Sequence, residues 1–319
     1  MDNIFTSDWH IHTEASYDAT MPLEELIHCA KKFGIKEFGI TEHVNYPFMV
    51  KHLQITKNIM LRKLHQHADD PPKMHLGVEL SPQSNFQNHY SMEHTWDLYP
   101  PLLAGMHPEF VEGFDTHDPD LVRLSQEQAR PYVLALTEED IQNNEIEYVV
   151  AAAHSVIDAP IEQQALVRHW HEQQMFCATD SRVDVVGHMW WFPWSPEIHF
   201  ATIERGSWPM ELGWFEDFNI VPQSMHDEFV AALLQYDKCA EMNTTFFTTT
   251  WLHDKFKHQY AQYIRSLFEK GVRITVGTDS HDNYENVQEL STKYLGAVGF
   301  KAEDFSKPNL RTYQQKHGG

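Results

Sequence analysis

The chain repeats one arrangement from end to end: a short apolar run stops at a histidine or a carboxylate, and a helix-period segment leads to the next run. Ile4 to Trp9 runs into His10, "IKEFGITEH" carries Phe38 and Ile40 to Glu42 and His43, and "KMHLGVELSP" ends at Glu79. "IEYVVAAAHS" then ends at His154, "VDVVGH" at His188, and, after "CAEMNTTFF", the run "VRITVGTDSH" ends at Asp279 and His281. Between the runs, Pro22 opens a helix with Leu23, Leu26, Ile27, Ala30 and Phe33 on one face and Gly34 as its stop. A helix from near Pro160 carries Ile161, Ala165, Leu166 and Trp170, and "MHDEFVAALLQYDK" forms another. Phe256, Tyr260, Ile264, Leu267 and Phe268 line a further helix that Gly271 ends. About seven strands alternating with helices predict an α/β fold, a parallel sheet or barrel with its helices outside. Active sites of such barrels lie at the C-terminal strand ends, which is where the polar residues fall.

Two stretches break the alternation: Ser81 to Asn144, and Met189 to Met225 with its "MWWFPWSP" and "GSWPMELGWFEDF". Connections of this length either cover a site or pack around the outside of the domain. His89, His94 and His107 fall in the first and can line the mouth of a site that includes Glu79. A length of 319 residues suits one large barrel as well as two ordinary domains.

Composition narrows the partners. With 46 acidic against 24 basic residues, a formal net charge of −22, the surface repels polyanions, and long nucleic acid is not an expected partner. Divalent cations bound in one cleft reverse the sign locally, so a small anionic substrate remains open. Cys29, Cys177 and Cys239 are widely separated and form neither a disulfide framework nor a thiolate zinc motif, which points to a reducing compartment. "MDNIFTSDWH" has no basic leader or signal-length apolar run, and no stretch is long enough to span a bilayer, so a cytoplasmic protein without a membrane partner is expected. The composition leaves the oligomeric state open.

The chain has 22 histidines, so an HxH pair arises easily by chance and only position separates ligands from background. His10 and His12 are two apart, and on an extended strand both imidazoles point to one side and can share a metal. Glu79 can bridge two cations through its two oxygens, His154 and His188 can complete a nitrogen-rich second site, and Asp279 with His281 repeats the two-residue spacing. Imidazole mixed with carboxylate suits zinc, iron or manganese, whereas an all-oxygen set suits magnesium or calcium.

Taken in order, "DWHIHTEASYD", "GITEH", "GVE", "AAAHS", "VVGH" and "GTDSH" resemble the polymerase and histidinol phosphatase (PHP) superfamily, from Asp8 to His281. The resemblance implies a distorted (β/α)7 barrel, a single domain over residues 1–319 with insertions at about 81–144 and 189–225, holding two to three divalent ions (Zn, Mn or Fe). By resemblance His10, His12, Glu79 and Asp279 hold the first metal, Glu79, His154 and His188 the second, and Asp18, His43 and His281 the third. Some members carry histidine where Asp18 stands, which changes the occupancy or identity of the third metal; the plain reading of Asp18 is a turn residue in "SYDAT". Glu42 is either a partner that orients an imidazole or a solvated loop charge.

Such a centre activates water near neutral pH and clamps phosphoryl oxygens during in-line displacement. A phosphomonoesterase acting on a small phosphorylated substrate through metal-activated hydroxide is therefore expected, with Asp279 and His281 placed to assist besides ligating. Arg182 and Arg205 are candidates for a phosphate oxygen, each with a surface salt bridge as its plain reading. A dedicated histidinol-phosphate phosphatase, a phosphodiesterase or nucleotide-bisphosphate hydrolase, and a domain that kept the fold and lost the chemistry are the alternatives. An amidohydrolase fits less well, because no ligand order of that kind is present.

Overall fold

In a computed structural model that describes residues 3–16, 18–45, 49–66, 72–82, 132–154, 163–190, 217–250, 252–282, 284 and 286–313, the alternation becomes a seven-stranded sheet. The strands are β1 (Ser7–Ile11), β2 (Glu37–His43), β3 (Lys73–Leu80), β4 (Tyr148–Ala151), β5 (Val185–Val186), β6 (Cys239–Asn243) and β7 (Arg273–Gly277). They lie side by side in chain order, and every pairing is parallel. The helices are α1 (Leu23–Lys32), α2 (Val50–Gln66), α3 (Glu138–Asn143), α4 (Gln163–Thr179), α5 (Gln223–Gln235), α6 (Thr245–Thr248), α7 (Asp254–Glu269) and α8 (Val287–Ala297). A parallel sheet covered on both faces needs strands apolar on both faces, and β2, β4 and β6 are buried throughout.

The seam between β1 and β7 closes at the strand ends that carry the candidate residues. Asp279 N–H donates to the His10 carbonyl at 2.7 Å, and His12 N–H to the Ser280 carbonyl at 3.1 Å. Lower in the seam the Asp8 carboxylate stands in for a missing ladder, accepting from Thr278 N–H at 3.0 Å and Thr278 Oγ1–H at 2.6 Å. The result is a nearly closed (β/α)7 barrel. Between Asp8 and Ile11 the β1–β2 register shifts, and the Thr41 hydroxyl patches the irregularity by accepting from Ile11 N–H at 3.1 Å. Irregularities of this kind re-aim side chains beside active sites.

Two apolar cores result. The larger lies between the sheet and the helices, while Trp9, Tyr148, Val150, Val185 and Cys239 fill the barrel interior. Trp9 and Tyr148 meet edge to face, with ring centroids 5.6 Å apart.

Several boundaries differ from the sequence reading. The first strand is Ser7–Ile11, so Ile4 and Phe5 are buried outside it and His10 lies within it. Pro22 is the N-cap of α1 rather than its first residue. The first interruption holds α3, opened by a capping box between Thr137 and Asp140, and α5 begins at Gln223 inside the second. Helices α2 and α8 have no counterpart in that reading. Most of both interruptions, with His89, His94, His107 and Arg205, lies outside the described residues. Among the described residues no helix is long and apolar enough to cross a membrane.

Candidate metal centre

The strand ends converge on Glu79, which is fully buried at the end of β3. His10 Nε2 and His12 Nε2 stand 3.1 and 3.2 Å from its Oε2, and 3.6 and 3.3 Å from Asp279 Oδ1. Three of these atoms, His10 Nε2, His12 Nε2 and Glu79 Oε2, are buried and make no hydrogen bond despite the short separations. Buried polar atoms are nearly always satisfied. Ligands of a tetrahedral cation at about 2.0–2.1 Å stand about 3.3 Å from one another, so the spacing and the donor set fit a divalent ion.

The other oxygen of Glu79 faces the opposite wall of the barrel. Its Oε1 is 2.9 Å from His188 Nε2 and 3.1 Å from His154 Nε2. His43 looks two ways, with Nδ1 3.0 Å from Glu79 Oε2 and Nε2 3.1 Å from Asp18 Oδ2. His281 Nε2 lies 3.6 Å from the same Asp18 oxygen, and its Nδ1 3.6 Å from Asp279 Oδ1. Every candidate metal residue is therefore drawn into one cluster. Three groups within it have metal-ligand spacing: His10, His12, Glu79 and Asp279; His43, Glu79 and His154; and His12, His43 and His281. His43 thus sits between the second and third sets rather than in the third alone. Asp279 adopts the left-handed conformation, φ 52°, in which aspartate is tolerated better than most residues and which recurs at functional sites.

Mutual electrostatics sort the charges. Burial alone would raise Glu79, but His10, His43 and His154 hold it well below the usual carboxylate range. Burial likewise opposes ionisation of Asp18, which His43 and His281 nonetheless keep well below its ordinary value. Burial lowers His12 and His154, which favours the neutral, ligating imidazole. Against burial, Glu241, Glu79 and Asp279 push His10 well above its ordinary value, while Asp18 and Asp279 bring His281 to about 9. Protons and a cation compete for these nitrogens.

A layer beneath the cluster was missed by the sequence reading. Glu241 of β6 is fully buried with Oε1 2.6 Å from His10 Nδ1, and Ser81 Oγ lies 2.7 Å from His154 Nδ1. Ser16 Oγ stands 3.2 Å from His12 Nδ1 and accepts from His43 N–H at 3.3 Å. Glu42 is not a solvated charge. It is buried, which raises its pKa to about 7, and it accepts from the Thr13 hydroxyl at 2.5 Å, shaping the turn that follows β1.

Arg182 is a correction. It precedes β5 and so sits at the opposite end of the barrel, where Nε and Nη2 donate to Asp180 at 2.8 and 2.6 Å and Nη1 to the Leu136 carbonyl at 2.5 Å. A guanidinium committed to these acceptors is not available to a phosphate at the strand C-termini.

A parallel α/β barrel whose C-terminal strand ends gather histidines and carboxylates around one bridging glutamate defines a class of metal-binding barrel proteins. The PHP domain model matches residues 8–192, more than half of the chain, and the chain belongs to the PHP domain family. Among solved structures it is similar to a histidinol phosphate phosphatase from Lactococcus lactis subsp. lactis, complexed with zinc, L-histidinol and phosphate. That match has 14% identity and a TM-score of 0.55, and covers 96% of this chain and 99% of that one. It is also similar, at 12% identity and a TM-score of 0.42, to a zinc-bound amidohydrolase from Burkholderia ambifaria, over 88% of this chain and 63% of that one. No curated protein matches the chain. Family membership and the His/Asp/Glu cluster together support a metal-dependent hydrolase.

Proposed function

We propose that the protein is a metal-dependent phosphoesterase that hydrolyses a small phosphomonoester. The observation that carries this reading is the double engagement of Glu79: Oε2 faces His10, His12 and His43, and Oε1 faces His154 and His188. A carboxylate addressed on both oxygens by imidazoles from opposite walls suits two neighbouring cations. His10, His12, Glu79 and Asp279 would hold one, Glu79, His154 and His188 another, and Asp18, His43 and His281 a third. Divalent cations in such a site supply an acidified water and neutralise charge on the transferring phosphoryl group.

The chain's own residues set the geometry of that chemistry. Glu79 stays ionised and fully buried and Asp279 ionised and partly buried, while Asp18, His154 and His281 expose 29%, 31% and 30% of their side chains and form the open side that a substrate reaches first. Burial raises the thiols of the two buried cysteines, Cys177 well above its ordinary value and Cys239 to about 12, and neither belongs to the cluster.

The reading is tested by elemental analysis of the purified protein, followed by rates on a panel of phosphomonoesters, including histidinol phosphate, and phosphodiesters. His10→Ala and Asp279→Ala serve as controls. Metal-dependent monoester hydrolysis lost in both variants is the expected result. Undiminished activity in metal-free protein would sink it, and a strong preference for diesters would overturn the monoester assignment.

A further inference from the structure

Among the described residues, β6 is the one strand whose end brings no member of the candidate metal set to the cluster. It carries Glu241 and Asn243 instead, two apart on one face and both fully buried. Glu241 Oε1 lies 2.6 Å from His10 Nδ1. Its Oε2 accepts the backbone N–H of His188 and lies 3.2 Å from Asn243 Nδ2. The Asn243 amide also reaches Asp279 Oδ2 at 3.3 Å, while its Oδ1 accepts Thr245 N–H at 2.9 Å. The carboxylate is thus tied to β1, to the segment that follows β5 and, through Asn243, to the end of β7.

We propose that Glu241, steadied by Asn243, is a positioning residue that fixes the tautomer of His10 and holds His10, His188 and Asp279 in one frame for metal binding. This rests on the metal-centre reading above. The backbone N–H of His188 and the Asn243 amide can only donate, and an ionised carboxylate can only accept, so the His10 Nδ1 facing Glu241 carries the proton. Its Nε2 then presents a lone pair towards Glu79 and Asp279, as a ligand must. Gly277 makes room for the group: a Cβ there would stand 2.8 Å from Glu241 Cδ and 2.7 Å from His10 Cβ. Glutamine has nearly the shape of glutamate but turns one acceptor into a donor. It must either oppose the His188 N–H or present its NH2 to His10 Nδ1, which selects the tautomer with the proton on Nε2.

The test compares wild type, Glu241→Gln and Asn243→Ala by zinc competition against a fluorescent chelator, by the visible spectrum of cobalt-loaded protein, and by circular dichroism. Glu241→Gln is expected to keep its fold and to lose zinc affinity by about 10- to 100-fold with a changed cobalt spectrum. Asn243→Ala is expected to lose less, with a change of the same kind. On the preferred phosphomonoester, kcat should fall more than KM rises. Folded variants with zinc affinity within about twofold of wild type and an unchanged cobalt spectrum would overturn the inference and leave the phosphoesterase reading standing. Weakened zinc binding in a protein inactive on every phosphoester would support the inference and remove that reading. A wild-type protein that binds no zinc would overturn both.

Discussion

Gly39→Ala puts a methyl group where the barrel interior has no space, and the structure fixes what it meets. Tyr148, at the start of β4, is fully buried, and its hydroxyl donates to the Trp9 carbonyl at 2.8 Å across the barrel. The phenol passes over the backbones of β2 and β3. A Cβ on Gly39 would lie 2.5 Å from Tyr148 Cζ and 2.8 Å from Cε1, with the hydroxyl closer still. The ring cannot swing away, because Trp9 packs edge to face against it and Val150, Val185 and Cys239 fill the remaining interior. Overpacking of this kind costs about 1–3 kcal/mol, and pushing the hydroxyl off the Trp9 carbonyl leaves a buried polar pair worth about 1–3 kcal/mol more. A loss of about 3–5 kcal/mol is therefore expected, a large part of the roughly 5–15 kcal/mol by which domains are stable. Urea unfolding followed by far-ultraviolet circular dichroism measures it. Tyr148→Leu removes the obstructing ring atoms, so the double variant Gly39→Ala with Tyr148→Leu should lose at least about 1.5 kcal/mol less than the sum of the single losses. A Gly39→Ala loss under about 1 kcal/mol, or additive losses in the double variant, would refute this account of the interior. The same layer supports the site, since Thr41 and His43 follow Gly39 on β2 and Glu79 follows Gly77 on β3.

Three further outcomes are expected. Removal of bound metal by a mild chelator should proceed in order, because the side chains of Asp18 and His281 are about 30% exposed while those of His10, His12 and Glu79 are at most 1% exposed; simultaneous loss of all metal, read by elemental analysis over time, would contradict the exposure gradient. At the other end of the barrel, burial would raise Glu37, but Lys307, His75 and Lys73 bring it to about 2, below its unfolded value of about 4.3. Its contribution to stability is thus present above about pH 4.3 and lost as pH falls towards about 2. The full depression is worth about 3 kcal/mol, which the exposure of Lys73 and Lys307, 67% and 59%, cuts to about 1 kcal/mol, so the advantage of wild type over Glu37→Gln in urea should shrink by about that much between about pH 5 and pH 2.5. Arg182→Ala should leave the KM of the preferred phosphoester within about twofold while lowering thermal stability, since it removes the bonds to Asp180 and Leu136 and nothing near Glu79; a tenfold rise in KM would return Arg182 to the substrate site.

The candidate cluster was legible because each strand advertises itself locally. An apolar run followed by His, Asp or Glu needs no knowledge of its neighbours, and six such runs among seven parallel strands leave one end of a barrel for all their terminal residues. The same logic, applied to Arg182, failed in an instructive way. It stands before its strand rather than after it, which puts it at the far end of the barrel from His188, six residues later. The β1 irregularity was not legible, because it depends on the Thr41 hydroxyl reaching across from β2. The helix α2 was missed because its buried face is mixed: polar Thr56 is buried between Leu53 and Met60, and Gln54, Lys57 and Asn58 fill the turns around it.

Glu241 shows where local reading ends. A single acid in "CAEMN" gives no period and no motif, and beyond Asn243 its contacts lie 231 residues away at His10 and 53 residues away at His188. The trace it does leave in the sequence is indirect and lies elsewhere, in the glycine of "VGTDSH". Gly277 ends the buried strand β7, and a Cβ there would meet the Glu241 carboxylate of the neighbouring strand and the Cβ of His10, whereas a Cβ on Gly187 would first meet Val150 and Ala152. A buried carboxylate on one strand whose side chain runs over a glycine at the end of the next strand is thus a signal that the pair carries together and that neither carries alone. It becomes readable only once the strand order is known, which is why the ligands of a barrel centre can be found from sequence before the residues that hold them.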